Sequence, residues 1–200
     1  SALEIGRHGW KPRAIWRHWK SDVAIQIALF RGINVGKAKR IAMAELKAMF
    51  EDLGFSNVRT LLNSGNVVFD AGRSASATNA TRISAALLER TGVSANTLVL
   101  TTKILDAAIT DNPFADPIDD PSRMLVGFYI DDADRAPFEA LRREFPGESF
   151  ALGEHACYLR CDGGILESRI ADALGGSKFR DSVTTRNWAT VGKLQALVAT

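Results

Sequence analysis

The sequence is poor in the residues that usually carry chemistry. Among its 200 residues are three histidines, His8, His18 and His155, and two cysteines, Cys157 and Cys161. Two of the histidines fall in the first 20 residues, so a serine–histidine hydrolase would need His155 to meet Ser64 or Ser168, and no spacing supports that. HExxH, GxSxG, a paired Cys-x-x-Cys and the Rossmann glycine pattern are missing. Two cysteines are too few for a zinc site without histidine help. On one strand face, four residues apart, they would stand roughly 13 Å from each other, beyond disulfide reach. They read as buried thiols of a protein kept reduced, and the expected location is the cytoplasm.

Long apolar runs are also lacking. None approaches the ~20 residues of a membrane span, and the opening SALEIGRHGWKPR has no apolar centre of an export signal, so no membrane partner is expected. Strong charge of one sign is missing too, with a net of +2. Residues 1–20 hold five Lys/Arg against Glu4, which leaves 20 basic and 22 acidic groups in the rest. A nucleic-acid binder usually shows a basic domain, and this body is not one. The case for nucleic acid rests on the tail, where Trp10, Trp16 and Trp19 sit among the basic residues; the same tail reads more simply as an extension docking its rings on the body. Asp116, Asp119 and Asp120 fit an acidic, proline-rich linker better than a metal site.

What is present is a soluble composition, 46% apolar and 24% charged, in a chain long enough to bury a core. Val23 to Phe30 alternates bulky and small residues as a central strand does, then breaks into the polar loop Arg31 to Lys37. Ile41 to Leu53 repeats apolar residues at helical spacing and ends at Gly54. Val58 to Asn63 and Val67 to Asp70 are strands around the two-residue turn Ser64-Gly65. A helix from Thr78 to Thr91 and a strand from Thr97 to Thr101 complete β-α-β-β-α-β, the ferredoxin-like order. Lys103 to Thr110 is a short helix, and three of six prolines then crowd residues 112–122.

The order repeats beyond that linker. Strands are expected at Met124–Ile130, Ser149–Leu152, Ala156–Cys161 and Asp181–Thr184, with helices after Asp134 and over Leu166–Leu174, and a last helix through Trp188, Val191, Leu194 and Leu197. The fold class is therefore α+β, two tandem ferredoxin-like halves with antiparallel sheets and a C-terminal helix. The expected organisation is an extension at 1–22, a first half at 23–111, a linker at 112–122 and a second half at 123–200.

In a ferredoxin-like unit the first and third strands are antiparallel neighbours. The loop after the first strand, with Arg31, Gly32, Asn34, Gly36 and Lys37, then lies beside the hairpin Asn63, Ser64, Gly65 and Asn66. Together they offer a guanidinium, an ammonium, amides, a hydroxyl and backbone N–H groups, a set that suits phosphate or carboxylate. The spacing is not that of a P-loop, since Ala38 follows Lys37, and turn chemistry alone accounts for much of the same loop. A second cluster holds Arg186, Asn187 and Lys193, where Asn187 or Thr190 caps the final helix and its N–H groups favour anions. Arg186 either clamps such an anion or pairs with an acidic group, and Trp188 anchors the core. Ser168-Arg169 opens another helix and is a weaker anion-receiving end. Nothing identifies a cofactor.

The segments FRGINVG (Phe30–Gly36), LNSGNVVF (Leu62–Phe69) and TTRNWATV (Thr184–Val191) resemble the bacterial family of domain of unknown function 1697, DUF1697, and the similarity runs from about Val23 to Val198. This chain departs from the family pattern at Lys37, where a second glycine is usual, at Ala189 for asparagine, and at Arg169 for lysine. The resemblance implies two ferredoxin-like halves and no established activity. The expected function is binding of an anionic small ligand at the first-half loops. The alternatives are an enzyme acting on a phosphorylated substrate, with Lys37 or Lys193 as its electrostatic group, and RNA or single-stranded DNA binding by the basic arm or an exposed sheet face.

Overall fold

The structure, a computed structural model, describes residues 24–34, 40–115, 118–130 and 133–200. The expectations for the arm at 1–22, the first-strand start at Val23, Gly36, Lys37 and Asp116 lie outside the described residues.

The apolar run opening the described chain forms β1 (Ile25–Phe30), and both of its faces are covered. Ala28 and Phe30 point to an outer helical layer, while Ile27 and Leu29 point to the middle of the molecule. That is why the run is nearly continuous in hydrophobicity instead of alternating with charge. β1 lies between β3 (Asn66–Asp70) and β4 (Thr97–Thr101), and β2 (Ser56–Leu61) pairs with β3, giving the order β2-β3-β1-β4 with every pair antiparallel. Helices α1 (Met43–Asp52) and α2 (Ser76–Thr91) cover the outer face. Phe50 of α1 meets the rings of Phe30, Phe55 and Phe69 at centroid distances of 6.2, 5.8 and 5.1 Å. Truncating so buried a ring costs about 3–5 kcal/mol, so α1 is fixed by packing more than by its caps.

The second sheet repeats the order. β5 (Met124–Tyr129) lies between β7 (Ala156–Arg160) and β8 (Val183–Asn187), with β6 (Ser149–Leu152) outside β7, again antiparallel throughout. α4 (Ala136–Glu144) and α5 (Arg169–Gly175) cover its outer face around Phe138, Leu141, Ile170 and Phe179. Cys157 and Cys161 are buried free thiols in this cluster.

Between the sheets lie α3 (Thr102–Thr110) and α6 (Trp188–Val198). A shared cluster joins Ile27, Leu29 and Leu100 of the first sheet to Val126, Phe128 and Tyr158 of the second, through Leu105 of α3 and Leu194 of α6. Trp188 packs against it, and the Tyr158 hydroxyl donates to Ala108 O at 2.9 Å. Inner and outer faces of β1 are thus both under other layers, which corrects the expectation of an open sheet face for nucleic acid. Among the described residues no helix is long and apolar enough to cross a membrane.

Several boundaries differ from the sequence expectation, each for a local reason. Ile41 stays out of α1 because its N–H is held by the Asn34 side chain. Ser168 adopts an extended conformation and caps α5, which splits the expected long helix into a 3-10 turn at Ile165–Glu167 and α5 itself. The first hairpin turns through four residues, Leu62 to Gly65, because both Leu62 and Gly65 take positive φ, 57° and 74°. β8 runs on to Asn187, since Thr185, Arg186 and Asn187 pair with Gly127, Val126 and Leu125.

Candidate functional site

The loop after β1 and the β2–β3 hairpin meet as the antiparallel pairing requires. The Phe30 N–H donates to Gly65 O at 2.9 Å, which puts the hairpin tip against the end of β1. A Cβ on Gly65 would stand 2.5 Å from Ile33 Cδ1 and 2.9 Å from Phe30 Cβ, at a φ that side chains also resist. Only glycine lets the two segments approach this closely. Asn34, itself at φ 57°, then closes the loop. Its Nδ2 donates to Asn63 O at 2.8 Å and Ile41 O at 3.1 Å, and its Oδ1 accepts from the Ile41 N–H at 2.6 Å.

Arg186 arrives at the same place from the other sheet. As a β8 residue on the inner face it extends its guanidinium under the hairpin and is only 9% exposed. Nε donates to Asn66 Oδ1 at 2.5 Å, and Nη2 to Phe30 O at 2.8 Å and to Ser64 O and Gly65 O, both at 3.2 Å. Nη1 donates to Thr185 O at 2.8 Å and has one further N–H without an acceptor among the described residues. Asn66, fully buried, completes the arrangement by donating to Leu61 O at 2.9 Å and Ser64 Oγ at 3.0 Å. No carboxylate among the described residues faces Arg186; burial alone holds its pKa down, at about 10. Neutral carbonyls solvate this cation without neutralising it.

Arg31 does something else. Its Nη1 donates to Phe179 O at 2.8 Å and Val183 O at 2.5 Å, and its Nη2 to Leu174 O at 2.8 Å and Gly176 O at 3.0 Å. These are carbonyls at the C-terminal end of α5 and the turn into β8, where a helix leaves acceptors unfilled and favours positive charge. Burial lowers its pKa, Arg180 adds to this, and Asp181 opposes it. Arg31 is therefore a tie between the sheets, its Nη groups turned to the carbonyls of 174–183 and away from the hairpin tip where a ligand contact was expected.

The other expected positions separate. Asn63 and Ser64 are exposed at the hairpin tip and Gly32 is exposed beyond β1. Asn187 caps α6, its Oδ1 accepting from the Thr190 N–H at 2.9 Å, and Lys193 is exposed on that helix. The start of α5 already holds an anion, the Glu148 carboxylate. Its Oε1 accepts from the N–H groups of Arg169 at 3.0 Å and Ile170 at 3.3 Å, and its other oxygen accepts from Ser168 Oγ. The anion-receiving end expected at Ser168-Arg169 is thus filled from within the chain. Sequence reasoning also missed Arg59, whose Nη1 donates to Leu197 O and Thr200 Oγ1, both at 2.7 Å, across the same divide. An arginine at alternate spacing in a strand carries no local sign of such a partner.

The family model described as protein of unknown function (DUF1697) matches residues 24–158. It covers the β1 loop and the hairpin and stops before Arg186. Among solved structures, the conserved bacterial protein SP0830 from Streptococcus pneumoniae is similar in fold, with a TM-score of 0.73 at 22% identity over 88% of this chain and 99% of that one. No curated protein matches the chain. With its family model spanning the first sheet, the linking segment and most of the second sheet, the chain belongs to the DUF1697 family.

Proposed function

We propose that this protein binds a small anion, a phosphate- or carboxylate-bearing ligand, at the tip of the first hairpin and the loop after β1. The observation that carries it is the buried positive charge of Arg186 beneath that tip, with no counter-charge among the described residues. A buried guanidinium without an acidic partner leaves a positive potential at the nearest solvent-reachable surface, and here that surface is the exposed pair Asn63 and Ser64. Among the described residues Nη1 donates to Thr185 O and to no other acceptor. Asn34, Asn66 and Gly65 act as framework, and Arg31 holds the second sheet in place behind it. Lys37 and Gly36, in the same loop, are the further groups this function assigns to the ligand.

The same proposal takes the chain as two ferredoxin-like units, at 23–111 and 123–200, joined by the linker at 112–122. The strand order and antiparallel pairing in each sheet support it. Two buried free thiols support a reducing compartment, the cytoplasm. The test is a melting-temperature screen with inorganic phosphate, nucleotides and phosphorylated sugars at constant ionic strength. Stabilisation by one ligand class, lost on Lys37→Ala and weakened by Ser64→Ala, is the expected result; a panel that shifts nothing contradicts the function.

A further inference from the structure

The two sheets share one register, so positions can be equated residue by residue. The Phe30 N–H donates to Gly65 O as the Tyr129 N–H does to His155 O, and the Arg31 N–H to Asn96 O as the Ile130 N–H does to Ser182 O. Leu29 faces Asn66 across the first sheet, and Phe128 faces Ala156 across the second. Ile27 faces Leu100 where Val126 faces Arg186. In each copy the last strand runs straight into a central helix, capped by Thr101 in one and Asn187 in the other. Arg186 therefore occupies the place of Leu100 and Asn66 the place of Ala156, while the turns beside them differ in length, four residues at 62–65 against two at Glu154-His155.

Leu100 and Ala156 are both buried in the central cluster, at 2% and 0% exposure, and they fill their positions with no polar atoms. The backbone arrangement under a hairpin of this fold is thus compatible with an apolar pair. A buried polar pair is a poor stabiliser by comparison, because removing both members together is often neutral while removing one leaves the other unsatisfied.

We propose, resting on the anion-binding function above, that the chain carries a single anion site at one of two equivalent positions, and that the Arg186–Asn66 pair is the specificity determinant, dispensable for folding. The second position is closed to anions by an apolar pair and by the Glu154 carboxylate at its tip, which is 82% exposed. The determinant can be removed by giving Asn66 and Arg186 the residues that their counterparts already have, alanine and leucine.

The experiment is calorimetric titration of the full chain with inorganic phosphate, with thermal unfolding of Asn66→Ala, Arg186→Leu and the double variant. One phosphate per chain is expected for the wild type, and no binding heat for the double variant. Both single variants should melt below the double variant. Two phosphates per chain, or binding retained by a folded double variant, overturns the single-site assignment. A double variant less stable than either single one overturns the dispensable role of the pair. A wild type that takes up no phosphate, yet shows the expected stability order, removes the anion-binding function and the single site with it while leaving the equivalence of the two positions standing.

Discussion

Arg186 and Asn66 stand 120 positions apart, on different sheets, yet Nε of one donates to Oδ1 of the other at 2.5 Å in the interior. The hydrogen bond joins β8 to the tip of the first hairpin and places the most buried guanidinium of the described chain under the turn at 62–65. What the protein can do at that turn follows from how this charge is satisfied. It has dipoles around it and no opposite charge among the described residues.

Arg186→Lys keeps the charge and loses the planar fork that reaches Asn66, Phe30, Ser64 and Gly65 together. The buried Asn66 oxygen and at least one carbonyl are then left without donors, a loss of about 2–3 kcal/mol. Urea unfolding measures it, and an unchanged midpoint at unchanged slope would show that the fork is not what holds the tip.

Arg31→Met removes donors from four carbonyls, at Leu174, Gly176, Phe179 and Val183. About 1–3 kcal/mol should be lost, with amide exchange rising over residues 174–183 and much less over the hairpin. Exchange that rises equally at both places would contradict the separate roles assigned to the two arginines.

Gly65→Ala drives a methyl group into Ile33 and Phe30 at a positive φ, so steric overlap and backbone strain act together. Destabilisation of about 2–4 kcal/mol is expected, read as a fall in melting temperature. Gly72→Ala is the control: its φ is also positive, at 60°, but nothing lies within 4 Å, so only the strain of about 1 kcal/mol remains.

Alkaline pH should unfold the protein through buried acids. Burial pushes the Cys157 thiol up to about 12 and raises Tyr129 and Tyr158 as well. Between about pH 9 and 12 the folded state keeps the Cys157 proton that the unfolded chain has released. Stability is then fully present below pH 9 and falls as pH rises, by about 1.4 kcal/mol per pH unit for one thiol. Cys157→Ala should flatten the slope by about that amount from pH 9 to 10, and an identical slope would remove the thiol from the cause. Arg186 works in the opposite direction, because its lowered pKa makes the folded state lose a proton first, and its effect is confined to pH values above about 10.

Much of this fold was legible in the chain because its periodicities are strong. The alternation in β1, the apolar stripe of α2 and the proline-rich segment before β5 all announce their state locally. The hairpin and the loop after β1 could be placed together from strand pairing alone. The course of β8 could not. Thr185-Arg186-Asn187 is polar enough to read as a loop after the strand expected at Asp181–Thr184, and it continues that strand because Arg186 meets its acceptors in another sheet rather than in solvent. Arg31 hides its role for the same reason, since its four carbonyl partners lie 143 to 152 positions away. Local pattern says that such a residue is polar and says nothing of which backbone will fill its donors.

Whether the charge of Arg186, without a carboxylate partner among the described residues, draws an anion to the hairpin tip is decided by Ser64→Glu. The side chain is exposed at the turn above Arg186, so a carboxylate placed there can act as the anion. Melting temperatures of wild type and variant are measured with and without millimolar inorganic phosphate at constant ionic strength. Phosphate is expected to raise the wild-type melting temperature, and the variant is expected to melt higher than the wild type without phosphate and to respond to it no longer. A variant that melts lower, or responds to phosphate as the wild type does, would contradict that attraction.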